Sequence, residues 1–534
     1  LHKEYRRQRQ MCIRDRYDPM LLKDMERAVS ILCEAVDTGK KIRIVGDYDI
    51  DGVCSTYILL QAFERLGSDV DFEIPDRIKD GYGINESIIE QAHADGVEVI
   101  LTCDNGISAF HQVELAKKYG MTVVITDHHE VPLDGEKEKI PPADAVIDPK
   151  QADCPYPFPE ICGAVVAYKL VQVLYARRGV PRMEWLDLLE FAAIATVGDV
   201  MKLQDENRIL VKYGLKKMAQ TKNLGLRRLA EKNNLDLGAI TAYHIGFVIG
   251  PCLNAGGRLK TAKEALALLR AQSEEEAERL AEELKELNDT RKDMTEQGTE
   301  AAKLQVESWY QKDKVLVVFL PECHESLAGI IAGRLREYYQ KPAIVLTRGE
   351  ESVKGSGRSI DEYHMFKKLT EVSDLLLKFG GHPLAAGLSL EEKNIDEFRR
   401  RLNENAGLTE EDFKAKVWID VPMPVGYVTE RFVRELSCLE PFGQGNEKPL
   451  FAEKSLRIRA SRVLGRNRNV VKMTLEETDG HAIEALYFGD GTAFEEERAG
   501  RREIDIVYYP DINEYNGRKT LQAVIRRYNC LLYT

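Results

Sequence analysis

The sequence predicts an α/β protein with a parallel-sheet domain, a long connecting helix, a second α/β domain and a C-terminal β domain. Three patterns support this prediction. Apolar strand-like runs alternate with amphipathic stretches over 20–148, a polar helical repeat covers 274–309, and short alternating strands begin after Lys416. The chain has 534 residues, which is enough for about three or four domains.

The first domain is predicted over 17–222. Strands and helices alternate along its first half, which favours a parallel sheet with βαβ connections. The predicted strands are 42–46, 70–74, 97–103, 122–125 and 145–147, and the predicted helices between them are 53–66, 85–95 and 109–119. Further helices are predicted at 160–178, 184–198, 205–220, 238–250 and 261–271.

A helical connector is predicted over 223–310. Its longest helix, 274–309, follows Ser273 and opens with acidic residues, which is a favourable helix start. We interpret it as a solvated helix that bridges two domains. A partner-binding coiled coil is the alternative, but the apolar positions do not form several clean heptads.

Two further domains follow the connector. Residues 311–407 are predicted to form a second α/β domain, with strands at 315–320 and 343–346 on either side of a helix at 327–338. Residues 415–528 are predicted to form a small barrel or sandwich. Its strands are predicted at 416–421, 455–463, 470–477, 482–488, 504–509 and 520–527. The basic, unpatterned segment 1–16 is predicted to be a disordered or foreign flanking segment.

Composition excludes several classes of protein. The net charge of −13 means that a nucleic-acid partner must be met by a local basic surface or through metal ions. No run of about 18 apolar residues predicts a transmembrane helix, so no membrane contact is expected. The ten cysteines form no CxxC pair, which argues against a disulfide framework and a structural zinc site and favours a reducing, cytoplasmic location.

Three aspartates follow the first predicted strand in the motif GDYDIDG. Asp47, Asp49 and Asp51 would repel one another unless cations share them. The alternative is a solvated turn with capping aspartates. Gly46 and Gly52 are typical of a tight turn that opens onto a helix.

Other candidate ligands also end predicted elements. Asp104 follows a strand in TCDNGIS, where a helix N-cap is an equal alternative, and His128 and His129 follow a strand in TDHHE. Asp199 ends an apolar helix in TVGDV, where an ionised carboxylate needs a partner. The motifs that follow parallel strands should meet at one edge of the sheet. Carboxylates with one or two histidines predict Mn²⁺ or Mg²⁺, and this much ligand charge suits two cations.

Basic residues in three glycine-containing motifs are candidates for phosphate binding. Arg258 lies in NAGGR, Ser356 and Arg358 lie in GSGRS, and His382 lies in FGGH. Small neighbours let backbone amides and a charged side chain approach one anion. Ordinary glycine turns are the alternative.

The C-terminal domain contains a local basic surface. Seven basic residues and no acidic residue lie between Lys454 and Leu475. Alternation places Arg457 and Arg459 on one face of a strand. Arg466 and Arg468 fall in a predicted hairpin turn. We predict a track for a phosphate backbone, with a solvated charged face as the alternative.

The ordered set GDYDIDG, TCDNG, TDHHE, TVGDV and FGGH resembles the DHH phosphoesterases. Within them the chain is similar, over 17–528, to the longer members that act as single-strand-specific 5′→3′ DNA exonucleases. The resemblance implies a DHH catalytic domain, a long connecting helix, a DHH-associated domain and a C-terminal OB-fold. In CHESLAGIIAGR, Glu325 and Ser326 stand where the family more often has a glycine, so no contact is assigned to them.

The resemblance also implies roles for individual residues. The implied metal ligands are Asp47, Asp49, Asp51, Asp104, His128 and Asp199. The implied catalytic residues are Asp104, His128 and His129. Asp104 is expected to bridge two Mn²⁺ or Mg²⁺ ions beside His128. His129 is expected near the scissile phosphate. Arg258, Ser356, Arg358 and His382 are expected to bind phosphates of the strand.

The implied activity is release of 5′-mononucleotides from single-stranded DNA in repair and recombination, by a monomer that works with a RecQ-type helicase and a single-strand-binding protein. Two alternatives remain open. One is a DHH phosphodiesterase that acts on oligoribonucleotides or cyclic dinucleotides, against which the basic β domain argues. The other is a non-catalytic single-strand-binding replication scaffold, against which the full ligand set argues.

Overall fold

The computed structural model describes residues 16–77, 79–515 and 518–530, and the chain forms two compact units. The first unit contains 16–201 and 206–415, and the second contains 202–205 with the described residues from Lys416 onwards. The predicted flanking segment 1–16 lies outside the described residues except for Arg16. The guanidinium of Arg16 lies 5.3 Å from the centre of the Trp185 ring.

The first unit opens with the predicted five-stranded parallel sheet. Its strands are β1 (Ile42–Val45), β2 (Val70–Glu73), β3 (Val99–Cys103), β4 (Thr122–Thr126) and, after a small hairpin of β5 (Leu133–Asp134) and β6 (Lys137–Glu138), β7 (Ala145–Ile147). The strand order is β2-β1-β3-β4-β7. The central strands β1 and β3 are buried along their whole length, as their continuous apolar runs predict.

Helices pack on both faces of this sheet. The helices of its βαβ connections and of the layer that follows are α1 (Met25–Thr38), α2 (Ile50–Arg65), α3 (Glu86–Ala94), α4 (Phe110–Lys118), α5 (Gly163–Arg177), α6 (Arg182–Asp187), α7 (Leu189–Gly198), α8 (Asp205–Met218) and α9 (Leu224–Lys232). The single helix predicted over 184–198 is wrong, because the chain forms two helices that meet at Leu188.

The region around NAGGR also differs from the prediction. Helical turns run from α10 (Ala242–His244) through a π-helical turn, Ile245–Ile249, into α11 (Gly250–Leu259). NAGGR therefore lies in a helix and not in a loop. Its glycines permit close packing, since a Cβ at Gly257 would lie 2.4 Å from the carbonyl oxygen of Tyr48.

The long helix is confirmed as α13 (Glu274–Gln305), preceded by α12 (Lys263–Arg270) and capped by Ser273. It is not solvated on all sides. Leu280, Ala281 and Leu284 belong to the core of the parallel-sheet region, and Ala302 belongs to a core formed with the next sheet. One apolar stripe thus joins two hydrophobic cores.

A second five-stranded sheet follows the long helix. Its strands are β8 (Leu316–Phe319), β9 (Ala343–Arg348), β10 (Val353–Arg358), β11 (Leu376–Gly381) and β12 (Ala385–Leu390). The strand order is β11-β12-β10-β9-β8, and only β8 and β9 pair in parallel. The helices here are α14 (Ala328–Tyr339), α15 (Met365–Thr370) and α16 (Ile395–Glu404).

Both glycine-rich motifs of this region are strands and not turns. GSGRS forms most of β10, and the first residues of FGGH end β11. Packing explains Gly355, because a Cβ there would lie 2.6 Å from a methyl carbon of Leu346. His382 directly follows β11, the edge strand of this sheet.

The second unit is a closed barrel. The strands are β13 (Val421–Pro422), β14 (Phe451–Leu464), β15 (Val470–Glu476), β16 (Ala482–Phe488), β17 (Glu503–Tyr515) and β18 (Arg518–Cys530), and the helices are α17 (Glu430–Leu436) and α18 (Gly491–Arg498). The sheet order is β13-β14-β15-β16-β18-β17, and pairing of β14 with β17 closes a five-stranded cylinder. The strand predicted over 416–421 is wrong except at Val421. None of the described helices is long and apolar enough to cross a membrane.

Breaking a buried ion pair in the first unit is expected to lower stability strongly. Lys169 Nζ lies 2.7 Å from Glu206 Oε1, both side chains are buried, and the Tyr156 hydroxyl donates to the same carboxylate. We expect Glu206→Ala to lower the free energy of unfolding by about 3–5 kcal/mol, because it leaves the ammonium buried without its partner. Urea unfolding measures this. Glu300→Ala, which removes an exposed partner of Lys303, should cost less than about 1 kcal/mol, and equal losses in the two variants would contradict the prediction.

Candidate metal centre

The GDYDIDG turn joins β1 to α2 and turns its carboxylates to one end of the sheet. Asp49 is the N-cap of α2, and its Oδ1 accepts hydrogen bonds from the backbone N–H groups of Asp51 and Gly52 at 2.9 and 3.1 Å. Gly52 is required by close packing, since its Cβ would lie 2.3–2.5 Å from backbone atoms of Asp47. Asp47 is buried beneath this turn.

The N-terminus of α5 fixes Asp51. The backbone N–H groups of Gly163 and Ala164 each donate to one oxygen of this buried carboxylate at 2.7 Å. Asp104 lies next to them directly after β3, with a positive φ of 62°. A Cβ at Gly163 would lie 2.7 Å from the Cβ of Asp104. Two strand ends and one helix N-terminus therefore meet with no room for another methyl group.

His128 completes the cluster from the end of β4. Its Nε2 lies 3.1 Å from Asp104 Oδ1, 3.4 Å from Asp51 Oδ2 and 3.9 Å from Asp199 Oδ2. Asp199 is the C-cap of α7. The structure thus brings together all six residues predicted as metal ligands, from four separate motifs.

The electrostatics of this cluster are those of a cation site. Burial, and then the charge of neighbouring carboxylates, raises the pKa of Asp47 and of Asp199 to about 8 and raises the pKa values of Asp51 and Asp104 above their ordinary range. Four carboxylates whose ionised forms are disfavoured need compensating positive charge. The donor set of oxygen atoms and one imidazole fits Mn²⁺ or Mg²⁺.

Ligand atoms within 4.8 Å of one another fall into three groups. These groups are Asp104 with His128 and His129, Asp51 with His128 and Asp199, and Asp47 with Asp49 and Asp104. Asp104 and His128 each belong to two groups. The arrangement can therefore hold two cations that share ligands.

Three polar residues of the site were missed as candidates by sequence reasoning. Asp127 is buried and its Oδ1 lies 2.7 Å from His129 Nδ1, and the Tyr82 hydroxyl contacts the same ring and donates to the Asp104 carbonyl oxygen at 2.7 Å. Burial disfavours the charged ring, but the hydrogen bond and charge of Asp127 outweigh it and raise the pKa of His129 to about 9. Asn105 donates to the carbonyl oxygens of Val45 and Cys103 and joins the ends of β1 and β3. Asp127 stands inside the TDHHE motif itself, so its signal was present.

A group of guanidinium side chains lies beside the carboxylates. Burial, together with the charges of Arg77, Arg291 and Arg358, lowers the pKa of Arg258 to about 10. Arg258 donates to the Ser326 carbonyl oxygen at 2.9 Å, and Arg77 lies 4.1 Å from the centre of the Tyr48 ring. Neither Arg258 nor Arg358 has a salt bridge among the residues that the structure describes. Arginines that repel one another and lack a carboxylate partner provide a site for an anion.

Ser356 and His382 lie near Arg358 in the second sheet. Arg358 donates to the Ser356 hydroxyl oxygen at 3.1 Å and to the Gly357 carbonyl oxygen at 2.8 Å. Arg358 pairs with Ala385 in the sheet register and Gly381 pairs with Ala386, so His382 follows at the same end of the sheet. His382 is exposed.

In the barrel, the four arginines of the predicted basic track fall into an ion-paired group and an exposed group. Arg459 forms an ion pair with Glu476, and Arg468 lies 3.3 Å from Glu495. Arg457 and Arg466 are exposed and have no salt bridge among the described residues. The hairpin loop between β14 and β15 holds Arg466 and Arg468, as predicted. The basic window is therefore partly neutralised by acids from elsewhere in the barrel.

Three family models match the chain in the order of its domains. They are the DHH family N-terminal domain at 41–196, the DHHA1 domain at 312–407 and the RecJ OB domain at 419–527. The fold and the carboxylate centre thus define a protein of the DHH class with an added OB domain. The predicted fold class is confirmed.

Relatives that align with nearly the whole chain identify the particular family within this class. The single-stranded-DNA-specific exonuclease RecJ of Escherichia coli K12 is 35% identical, with 94% of this chain and 90% of the relative covered. That of Bacillus subtilis 168 is 38% identical over 96% of this chain, which spans 64% of that relative's length. The chain belongs to the RecJ family, as the resemblance predicted.

Solved structures agree with this assignment. The crystal structure of RecJ from Thermus thermophilus in complex with Mn²⁺ has a TM-score of 0.82 at 29% identity, covering 96% of this chain and 72% of that chain. The Mg²⁺ complex from the same organism has a TM-score of 0.75 at 29% identity, covering 96% and 71%.

Proposed function

We propose that the chain is a 5′→3′ exonuclease specific for single-stranded DNA, which releases 5′-mononucleotides with two Mn²⁺ or Mg²⁺ ions. The observation that carries the proposal is the convergence of five carboxylates and His128, in which Asp104 belongs to two candidate ligand groups. Membership of the RecJ family supports the substrate. The relatives' complexes with Mn²⁺ and Mg²⁺ support the ions.

The proposed metal ligands are Asp47, Asp49, Asp51, Asp104, His128 and Asp199. Bound cations would polarise the phosphoryl oxygens and supply a nucleophilic hydroxide. The protein's own contribution is rigid placement: the N-terminus of α5 holds Asp51, and Asp127 with Tyr82 orients the His129 ring towards the centre. His129 is proposed to contact the scissile phosphate.

The anion site is proposed to bind phosphates of the strand. Arg258, Ser356, Arg358 and His382 are the residues assigned to it, and Arg77 joins them because its charge lies close to Arg258. Binding an anion would offset the burial and the mutual repulsion that lower the pKa of Arg258. A cytoplasmic monomer that acts with a RecQ-type helicase and a single-strand-binding protein in DNA repair and recombination completes the proposal.

The other candidate functions have weaker support. A phosphodiesterase for oligoribonucleotides or cyclic dinucleotides does not need the basic barrel. A non-catalytic scaffold does not need six converging ligands whose charges disfavour the folded state without cations.

End-labelled DNA tests the activity. With Mn²⁺, the protein should release the 5′ label of a single strand as mononucleotide at least about 100-fold faster than the label of a blunt duplex, a difference of about 2.7 kcal/mol in barrier. Chelator should abolish the reaction. We expect this difference because a single strand can reach the buried carboxylates, whereas a duplex cannot. Equal rates on the two substrates, or release of the 3′ label first, would contradict the proposal.

Salt dependence tests the proposed DNA-binding arginines of the barrel. Replacing Arg457 and Arg466 by Ala should flatten the slope of log affinity against log salt by about 1.4, since each phosphate contact on a single strand contributes about 0.7. Replacing Arg459 and Arg468 should change the slope less, because these side chains are engaged by Glu476 and Glu495. Fluorescence anisotropy measures both. An unchanged slope in the first variant would mean that the exposed pair is only a solvated charged face.

A further inference from the structure

Lys150 is a cationic residue beside the metal centre, in the turn that follows β7. Strand β7 pairs in parallel with β4, with Ile147 opposite Thr126. The Asp127 N–H, directly after β4, donates to the Ile147 carbonyl oxygen at 3.0 Å. The turn that carries Lys150 therefore leaves the sheet at the same edge as the TDHHE motif.

Buried polar side chains hold this turn in place. The Asp148 carboxylate accepts a hydrogen bond from the Lys150 backbone N–H at 2.8 Å. The Gln151 side-chain amide donates to the carbonyl oxygens of Val146 and Asp148 at 3.0 and 3.3 Å. Asp148 and Gln151 are both buried. The backbone of Lys150 is therefore fixed relative to the end of β7, which limits the positions that its side chain can reach.

The Lys150 ammonium group reaches the loop that follows β4. Its Nζ lies 2.9 Å from Oε1 of Glu130, the residue directly after His129. The Lys150 side chain is only 19% exposed, whereas that of Glu130 is 71% exposed. An ion pair with so exposed a partner is weak. The stem of Lys150 is thus packed against the protein, and its ammonium group can exchange the glutamate for a phosphate oxygen.

The charge of Lys150 acts on residues from three elements of the centre. Burial is the main cause of the shifted pKa values of His128, Asp148 and Asp199, and the positive charge of Lys150 contributes to all three shifts. These residues follow β4, follow β7 and cap α7. Because Coulomb interactions weaken with distance, the ammonium group lies close to all three elements.

The centre is open to solvent on the side of Lys150. His129 and Asp199 are partly exposed, whereas Asp51 and Asp104 are buried. Lys150 is near both partly exposed residues, since Glu130 follows His129 and the lysine charge acts on Asp199. A phosphate group that approaches the carboxylates here comes within reach of the ammonium group.

Lys150 and the arginines of the anion site flank different ligands of the centre. The charge of Arg77 acts on Asp47, and the charge of Asp49 acts on Arg258. Lys150 acts instead on His128 and Asp199. A phosphate at the centre therefore has a cationic partner beside each of these two sets of ligands.

We propose that the Lys150 ammonium group binds a non-bridging oxygen of the scissile phosphate and stabilises the negative charge that develops there during hydrolysis. A lysine ammonium group is a compact charge with three donors, which suits a phosphate oxygen. A charge that is held in a partly buried site stabilises a transition state without reorganisation. The proposal rests on the exonuclease activity proposed above. A solvated ion pair with Glu130 is the alternative.

Steady-state kinetics of Lys150→Met in the full chain test the proposal. On a single strand at saturating Mn²⁺, kcat should be at least about 30-fold below that of the unmodified protein, which corresponds to about 2 kcal/mol. KM should change less than about threefold, because the contact strengthens mainly in the transition state. Lys150→Arg keeps the charge and should recover at least about tenfold of the loss.

Calorimetric titration of Mn²⁺ without DNA separates a substrate contact from support of the metal ligands. An ammonium group near the centre repels cations, so Lys150→Met should bind Mn²⁺ at least as tightly as the unmodified protein. If Lys150 only held the ligands in position, its loss would weaken Mn²⁺ binding. The Mn²⁺ affinity therefore identifies the role of Lys150 independently of the reaction rate.

Lys117→Met is the matched control. Lys117 Nζ lies 2.6 Å from Oδ2 of Asp144, which directly precedes β7, so this lysine–carboxylate pair lies at the opposite edge of the same sheet. Its replacement should leave kcat and KM within about twofold, since the pair is remote from the centre and partly exposed.

A kcat loss smaller than about 30-fold in Lys150→Met, or a loss accompanied by weaker Mn²⁺ binding, would overturn the proposal. A rise in KM alone would also overturn it, because the contact would then lie at another phosphate. An unmodified protein that degrades no single strand would refute the exonuclease function, and this inference with it. A protein that degrades DNA and keeps its rate in Lys150→Met would refute only the role of Lys150.

Discussion

Asp104→Asn is expected to lower the rate of single-strand degradation at saturating Mn²⁺ by at least about 1,000-fold. Asp104 is the one carboxylate that belongs to two of the candidate ligand groups, so its loss affects both cation positions. A factor of 1,000 corresponds to about 4 kcal/mol of transition-state stabilisation, within the several kcal/mol that bound cations supply. Release of labelled nucleotide measures the rate, and calorimetric titration of Mn²⁺ should show at least one ion fewer per chain.

Thermal unfolding separates this loss of activity from a loss of folding. Burial and the charges of Asp51, Asp49 and Asp47 raise the pKa of Asp104, so its ionised form destabilises the folded state above the ordinary pKa of a carboxyl group. Asn removes that charge. In chelator at neutral pH, the variant should unfold at the same temperature as the unmodified protein or at a higher one.

A matched control for this prediction is Asp153→Asn. Asp153 is an exposed carboxylate whose partner is Lys23, and it lies in none of the ligand groups. Its replacement should leave the rate within about twofold, since surface ion pairs contribute little. If Asp104→Asn retained a tenth or more of the activity at saturating Mn²⁺, the shared-ligand interpretation would fail.

Gly163→Ala should reduce the rate at least about 100-fold, which corresponds to about 2.7 kcal/mol. The added Cβ would lie 2.7 Å from the Asp104 Cβ and 3.0 Å from its Oδ1, and the Gly163 N–H is one of two that hold Asp51. Relief of this contact displaces ligands of both candidate cations. Overpacking of this kind also costs about 1–3 kcal/mol of stability. The measurements are the rate, the Mn²⁺ affinity and the midpoint of thermal unfolding.

Gly333→Ala is the matched control, because Gly333 is also helical but its Cβ would have no atom within 4 Å. This variant should keep the full rate and gain up to about 1 kcal/mol of stability, since Ala is the better helix former. Gly163→Ala with an unchanged rate and Mn²⁺ affinity would show that Asp104 and Asp51 tolerate displacement. Their tight packing would then have no catalytic purpose.

The candidate metal centre was predictable because its ligands lie in motifs that directly follow a strand or end a helix. Asp47, Asp104 and His128 follow β1, β3 and β4, which are neighbours in a parallel sheet, so the topology alone brings them to one edge. Asp127 was not assigned because a carboxylate next to two histidines could equally be a ligand or an orienting partner. Only the 2.7 Å contact with His129 distinguishes these roles.

The glycine-rich motifs show where local pattern misled. Ordinary glycine turns were the alternative interpretation of NAGGR and GSGRS, but the chain forms a helix and a strand there. Glycine is found both in turns and where two secondary-structure elements pack closely. The sequence does not show which atom of another element lies close to the glycine. For Gly257 that atom is the carbonyl oxygen of Tyr48.

The sequence by itself determined the α/β class, the long helix, a C-terminal β domain of barrel or sandwich type and the set of candidate ligands, because hydrophobic periodicity and strand-end motifs are local properties. Tertiary structure alone decided which charges are paired and which are not. The window between Lys454 and Leu475 contains no acid, yet Glu476 and Glu495 neutralise Arg459 and Arg468. Conversely, Glu190 is an ordinary helix residue in sequence and a half-satisfied buried carboxylate in the fold. The physical reason is that Coulomb and hydrogen-bond energies depend on distance and burial. Both quantities are determined by how segments that are remote in sequence pack against one another.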